Sequence, residues 1–247
     1  MITEAAKTPA TQLLRGSINN LRKSRRSQDF FFTNADREKM GATAIAAGLA
    51  GLGGIATGLA GMATDTREEA DLLEFELDGK PIKAWVWSSV FKEGDEVEVV
   101  VERLGDTWQA FGLRRLNDKI VALHPHCSRG RYAHYKNTIR WWIIISAILI
   151  LTGGIITSGF SLFDDGIKAA LSMLMFFVLV VGSGFLVISG FIAYRMASKM
   201  MGFVQLAEGI FQAFGWNDVK NIDLPAITKK SKQPGDPGAL GVLYFRY

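Results

Sequence analysis

Four side chains able to bind a transition metal lie close together in this sequence: His124, His126, Cys127 and His134. Imidazole and thiolate are the preferred ligands of zinc. The spacing H-x-H-C-x6-H matches no standard finger, however, so no metal and no cofactor are expected. The same stretch reads more simply as a connector at a membrane surface, with Arg129, Arg131, Lys136 and Arg140 meeting lipid phosphates. Tyr132 and Tyr135 suit such an interface. No nucleophile elbow, phosphate-binding glycine loop, H-E-x-x-H or paired-cysteine motif occurs elsewhere. Cys127 is the single cysteine, which excludes an intrachain disulfide. No catalytic residues, and hence no enzyme, are expected.

The connector leads into two long apolar segments. Residues 141–163 carry no charge before Asp164, and residues 169–194 none before Arg195. A bilayer core about 30 Å thick takes roughly 20 helical residues. Both segments are long enough, and the short acidic loop between them predicts a transmembrane hairpin over 141–194. No cleavable secretory signal is visible at the N-terminus, so the hairpin itself is expected to direct insertion. Seven Lys/Arg fall between residues 114 and 140, and Arg195 and Lys199 follow the second segment. The positive-inside rule puts these flanks in the cytoplasm and Asp164 and Asp165 outside. Trp141, Trp142 and Tyr194 then fall in an aromatic belt. Headgroup contact is expected from Arg129, Arg131, Lys136, Arg140, Trp141, Trp142 and Arg195.

Before the connector, residues 64–123 alternate in the manner of strands. LLEFEL (72–77), IKAWVW (82–87), EVEVVVER (96–103), TWQAFGLR (107–114) and KIVAL (119–123) are separated by Asp78-Gly79, Gly94-Asp95, Gly105-Asp106 and Asn117-Asp118. Five short strands predict a small antiparallel domain, a barrel or sandwich of OB or SH3-like size. Its core candidates are Phe75, Leu77, Ile82, Trp85 or Val86, Val97, Val99, Trp108, Phe111 and Val121. The acidic residues of 93–102 are expected on a solvated face. Arg114 and Arg115 lack an aromatic platform, and no nucleic-acid partner is expected.

Residues 1–40 are basic, eight Lys/Arg against four Asp/Glu. Leu13, Leu14, Ile18 and Leu21 fit a short amphipathic helix, and Arg22, Lys23, Arg25 and Arg26 a solvated or lipid-facing run. Residues 41–63 hold seven Gly and eight Ala with no charge. Ala44, Gly51 and Gly58 form one small-residue row, and Ala47, Gly54 and Gly61 the next. Such rows let another helix approach closely in lipid. A membrane-active helix that self-associates is expected, against the alternative of a flexible linker. A single crossing there would put the basic N-terminus outside, against the charge rule. After the hairpin, residues 195–247 read as an amphipathic helix in the interface plane, with Phe203, Val204, Ile210 and Phe214 on one face, and then a tail.

The fold class expected is therefore membrane α with a small antiparallel β domain. Its segments are 1–40, 41–63, 64–123, 124–140, 141–194 and 195–247. The runs FFFTNADREKMGATAIAAGLAGLGG, LEFELDGKPIKAWVW, EGDEVEVVVER and ALHPHCSRGRYAHYKN carry a resemblance. Together they resemble small Gram-negative bacterial membrane proteins described as type VI secretion system effectors. The likeness extends from about residue 29 to the second apolar segment. It implies a pore-forming toxin of bacterial competition, with a glycine zipper over 41–63, acting at the recipient's inner membrane. Implied partners are membrane lipids, further copies of the chain, a cognate immunity protein and a secretion chaperone. The firmly apolar spans equally suit an immunity protein that neutralises a toxin, or a resident membrane-anchored interaction module.

Overall fold

The computed structural model describes residues 11–29, 67–104 and 107–247. Two compact units result. One joins the residues up to Ala133 with Met200–Tyr247, and the other is His134–Lys199. The row residues Ala44, Ala47, Gly51, Gly54, Gly58 and Gly61 lie outside the described residues.

The first unit is built on a mixed sheet. Its strands are β1 (Gln12–Ser17), β2 (Asn19–Asp29), β3 (Arg67–Leu77), β4 (Lys80–Val86), β5 (Glu96–Leu104), β6 (Thr107–Arg115), β7 (Ile120–Leu123) and β8 (Phe245–Arg246). The order is β1-β5-β6-β4-β3-β2, with β7 on β6 and β8 on β7. β3 to β7 are the five strands expected from alternation. Asp78 and Gly79 both take positive φ, 50° and 71°, as a two-residue hairpin turn requires. The domain is not purely antiparallel. β4 runs parallel to β6 from Ile82↔Trp108 to Ala84↔Ala110, and β7 takes the rest of that edge at Gly112–Arg114. β4 and β6 can run parallel because β5 lies between them in sequence and supplies the crossover.

Inside the sheet, Ile18, Leu73, Phe75, Leu77, Ile82, Val86, Val97, Val99, Val101 and Leu113 pack into one core. Trp85 and Trp108 are only partly buried against their cores. The other face of the sheet is not open to water. α4 (Met201–Ala213) lies on it, packing Phe203, Leu206, Ile210 and Phe211 against Val100, Phe111, Val121 and Leu123. The interface-plane helix expected after the hairpin is thus a core helix, since its apolar stripe has a sheet face to cover. Gly112 makes the approach possible. A Cβ there would lie 2.7 Å from Ile210 Cγ2 and 2.9 Å from Phe214 Cε2.

Further expectations change. Val100 faces α4 by alternation, since Val99 and Val101 on either side of it lie in the other core, and the register shift against β6 leaves Phe111 as the extra residue. Glu102 is 1 % exposed and accepts from Thr11 Oγ1 at 2.5 Å, and Glu98 holds Arg114, so the acidic face of β5 is not simply solvated. The N-terminal helix is instead β1 and β2. A spacing of four, as from Leu14 to Ile18, puts residues on one face of a helix and also of a strand. Pairing with β5, from Gln12↔Val101 to Ser17↔Glu96, decides for the strand. The basic run is therefore no free tail. Lys23 and Arg25 reach Asp71, which is 2 % exposed, at 2.9 and 3.2 Å. The C-terminal tail also folds, as α5 (Leu224–Ser231) and β8, with Arg246 bound to Asp236.

The second unit is a helical hairpin. α1 (Arg131–Asp165) begins just before it and supplies its first arm. The second arm is α2 (Ile167–Phe176), a π-helical turn (Phe177–Val181) and α3 (Gly182–Lys199). Gly166, at φ 84°, makes the turn between the arms. Arg131–Phe163 and Ile167–Lys199 are each long and apolar enough to span a membrane.

Candidate functional site: the junction and the hairpin

The stretch ALHPHCSRGR is the junction between the sheet and α1, and its residues are tied into the sheet unit. His124 N–H donates to Phe111 O at 2.8 Å, and Cys127 N–H to His124 O at 3.1 Å, forming a turn. His126 sits in that turn at φ 67° with Nε2 2.7 Å from Glu68 Oε2. The chain then zips onto the segment after α4. Leu224 N–H donates to Ser128 O (3.1 Å), and Gly130 N–H to Ile222 O (2.9 Å). Between them Arg129 Nε donates to Asp223 Oδ1 at 3.1 Å. Arg131 closes the junction. Its guanidinium grips both oxygens of Glu208 on α4, with Nη2 to Oε2 at 2.7 Å, and its backbone N–H donates to Oε1 at 2.8 Å. Glu208 thus serves as ion-pair partner and as acceptor for an N–H at the start of α1, which a helix leaves unpaired.

This geometry divides the expected headgroup residues. Arg129 and Arg131 are engaged by carboxylates of the sheet unit. Lys136, Arg140, Trp141 and Arg195 are exposed, and the Arg195 guanidinium lies 5.7 Å over the Phe191 ring. Trp142 turns toward the other arm, where its Nε1–H donates to Ser189 Oγ at 3.1 Å. The acceptors Glu68, Glu208 and Asp223 escaped the sequence reading. Glu208 did leave a signal: a lone carboxylate within an apolar stripe must find a partner if the stripe is buried.

The metal-ligand types have separate employment. His126 faces Glu68, and His134 Nε2 lies 3.1 Å from Ala197 O. Burial pushes the Cys127 thiol up and the His124 imidazole down to about 3. Among the described residues no group of three His, Cys, Asp or Glu is placed to hold a metal ion. Arg114 and Arg115 are likewise occupied, by Glu98 and by Asp95 and Asp118. A groove of about 710 Å³ over β3 and β4 holds charges of both signs. Lys83 pairs with Glu74 there, and Glu93 accepts from the N–H groups of Asn20 and Leu21.

No protein family, curated protein or solved structure matches this chain.

Burial of His124 has a consequence for acid stability. The unfolded chain takes up a proton near pH 6.5, whereas the folded one resists protonation down to about 3. The unfolded state thus binds more protons between these values, and stability falls as pH drops through that window. At about 1.4 kcal/mol per unit, the loss between pH 6.5 and 5 is of the order of 2 kcal/mol. His124→Phe should flatten this limb of the stability curve in detergent, whatever its effect at pH 8. An unchanged slope would show that His124 does not cause it.

The two arms of the hairpin meet through glycines. A Cβ on Gly153 would lie 2.7 Å from Phe177 Cζ, and one on Gly154 2.9 Å from Leu174 Cδ1. At the other end a Cβ on Gly190 would lie 3.1 Å from Trp142 Cζ2. Close backbone approach through small residues is how helices associate where burial of apolar area gives no drive. Gly153→Val should therefore loosen the hairpin by about 1–3 kcal/mol through overpacking. Phe177→Ala in the same chain should restore part of the loss. Protease resistance of the loop near Asp165 in micelles reads both effects.

Proposed function

We propose that this is a non-enzymatic bacterial membrane protein that acts in the inner membrane as a type VI effector, perturbing or permeabilising the target bilayer. The observation that carries the membrane part is the surface of the hairpin. Only 11 % and 6 % of the most apolar windows of its two arms are buried within the protein. Large apolar side chains point outward along both, including Ile148, Ile155, Phe160, Leu179, Val187 and Phe191. A contiguous apolar surface of this kind exceeds what soluble monomers expose and is at no disadvantage in lipid. A further support is that α4, after the hairpin, shares a core with the sheet before it. A chain returning to its starting side needs two crossings, which matches the two arms. The basic flanks favour the cytoplasm as that side.

The sheet supports a finer reading as a five-stranded Greek-key barrel. β1 and β2, consecutive across Ile18, act as one bent strand that pairs with β5 at one end and β3 at the other. The cycle through β3, β4, β6 and β5 then returns to its beginning, in the manner of an OB-fold. The effector assignment itself rests on the sequence resemblance. The well-anchored sheet unit equally favours a resident interaction module or an immunity protein, which is the second reading.

Inducible expression separates these readings, with and without a signal that exports the N-terminus, followed by growth and a potential-sensitive dye. An effector should arrest growth and depolarise cells in at least one compartment. Normal growth and potential in both would overturn the effector reading. Protection against a neighbouring toxin would establish the immunity one.

A further inference from the structure

Arg114, Arg115, Arg129, Arg131 and Arg246 of the sheet unit each meet a carboxylate. The cations at the open end of the hairpin differ. Lys136 and Arg140 on α1, and Arg195 and Lys199 on α3, are all exposed. Among the described residues no ion pair forms at any of the four, and residues 132–163 and 166–207 contain no Asp or Glu. The members of each pair are four residues apart, so they are neighbours on one helix face, with Cβ atoms about 5–6 Å apart. Like charges at that spacing repel and destabilise a helix. The arms are antiparallel, and three contacts fix their level. His134 Nε2 lies 3.1 Å from Ala197 O, the Tyr135 and Tyr194 rings stack at 6.3 Å, and Trp142 Nε1–H donates to Ser189 Oγ. The turn Lys136–Arg140 is thus level with the turn Phe191–Arg195, and Lys199 follows one turn further out. Each pair also heads an apolar row. On α1 the row continues through Ile143 and Leu151, and on α3 through Phe191 and Ile188, all exposed. The Arg195 guanidinium lies 5.7 Å over the Phe191 ring, which holds the charge at the boundary of the apolar surface.

We propose that each pair is a site for one anionic phospholipid, its phosphate shared by the two cations and an acyl chain lying along the apolar row. The proposal rests on the membrane reading of the hairpin and names the lipid class that the hairpin selects. A bridging phosphate removes the like-charge repulsion at both pairs. The order of polarity along each row, cations first and apolar side chains after, is that of a phospholipid from headgroup to chain. A free phosphate lacks the apolar part. A zwitterionic headgroup carries its own cation beside the phosphate, so it gains less from two further positive charges. Arg129 and Arg131 take no part, because Asp223 and Glu208 already hold them. The hairpin therefore collects acidic lipid in the leaflet at its open end, on both arms.

Lipid quenching tests this on the full chain, reconstituted into phosphatidylcholine vesicles at low salt. Part of the lipid is replaced by phosphatidylglycerol or phosphatidylcholine brominated in the acyl chains, and quenching of Trp141 and Trp142, beside Arg140, is read. Brominated phosphatidylglycerol should be preferred about tenfold, and the preference should shrink as salt is raised. Lys136→Gln with Arg140→Gln should lose part of it. Adding Arg195→Gln and Lys199→Gln should abolish it, while quenching by brominated phosphatidylcholine persists and shows that the hairpin is still inserted. Arg22→Gln with Arg26→Gln removes two charges from exposed positions of β2 and should leave the preference intact. Equal quenching of the wild type by the two lipids would overturn the proposal, as would an equal loss in the β2 variant. Loss of the preference when inorganic phosphate replaces chloride at constant ionic strength would also overturn it, since the pairs would then bind the free ion. Absence of quenching by either lipid is a different outcome, because it removes the membrane reading and the proposal with it.

Discussion

Replacing Gly130 with alanine is expected to prevent stable folding of the sheet unit. The new Cβ would fall 2.1 Å from Val219 O and 2.7 Å from both the carbonyl carbon and oxygen of Lys220. All three are backbone atoms, so no side chain can swing away. Relief demands separating the junction from the segment after α4. That breaks the Gly130–Ile222 and Ser128–Leu224 hydrogen bonds and disturbs Arg129–Asp223. The combined cost should reach about 3 kcal/mol or more, a large fraction of a typical domain's stability. Thermal unfolding in detergent and protease resistance read the effect. Gly159→Ala is the matched control, since nothing lies within 4 Å of a Cβ there. If Gly130→Ala unfolds like wild type, the close approach at Val219 is wrong.

Glu208→Ala should be the second most damaging change, and more damaging than Arg131→Ala. Removing the carboxylate strips a guanidinium of its bidentate partner and leaves the first backbone N–H of α1 without its acceptor. Removing the guanidinium leaves Glu208 with that N–H still bound. Charge-assisted bonds contribute about 1.5–3 kcal/mol each when broken singly. Because the Arg131 side chain is 41 % exposed, water recovers part of this, and about 2–3 kcal/mol is expected for Glu208→Ala. The double variant should cost clearly less than the sum of the two singles, the signature of a coupled pair. Equal and additive losses, measured by denaturant titration in detergent, would contradict the geometry.

Local patterns carried much of this fold. Alternation located β3 to β7, and chargeless runs located both arms of the hairpin, because each signal is contained in a short window. What escaped depends on distant partners. Leu14 and Ile18 sit at a spacing that a helix and a strand share, and only Val97–Val101 on β5 settles which forms. The stripe Phe203–Phe214 looks alike whether it faces lipid or protein, and the sheet face that covers it comes about 80 residues earlier. At the junction, the cations of ALHPHCSRGR were legible but their acceptors were not. Glu208 and Asp223 lie on the far side of the hairpin in sequence, so no window could pair them with Arg131 and Arg129. Arginines beside a span suit phosphates as well as carboxylates, and the fold assigns two of them to carboxylates.

The sheet and the helix that covers it are made at different times. Leu123 leaves the ribosome about 80 residues before Phe203, and synthesis at roughly 5–20 residues per second separates them by about 4–16 s. During that interval Val100, Phe111, Val121 and Leu123 have no cover. The half-made sheet is therefore an aggregation-prone nascent chain until α4 emerges. Its maturation waits on translation past the hairpin, and a ribosome stalled before Phe203 would leave a sticky fragment for quality-control proteases.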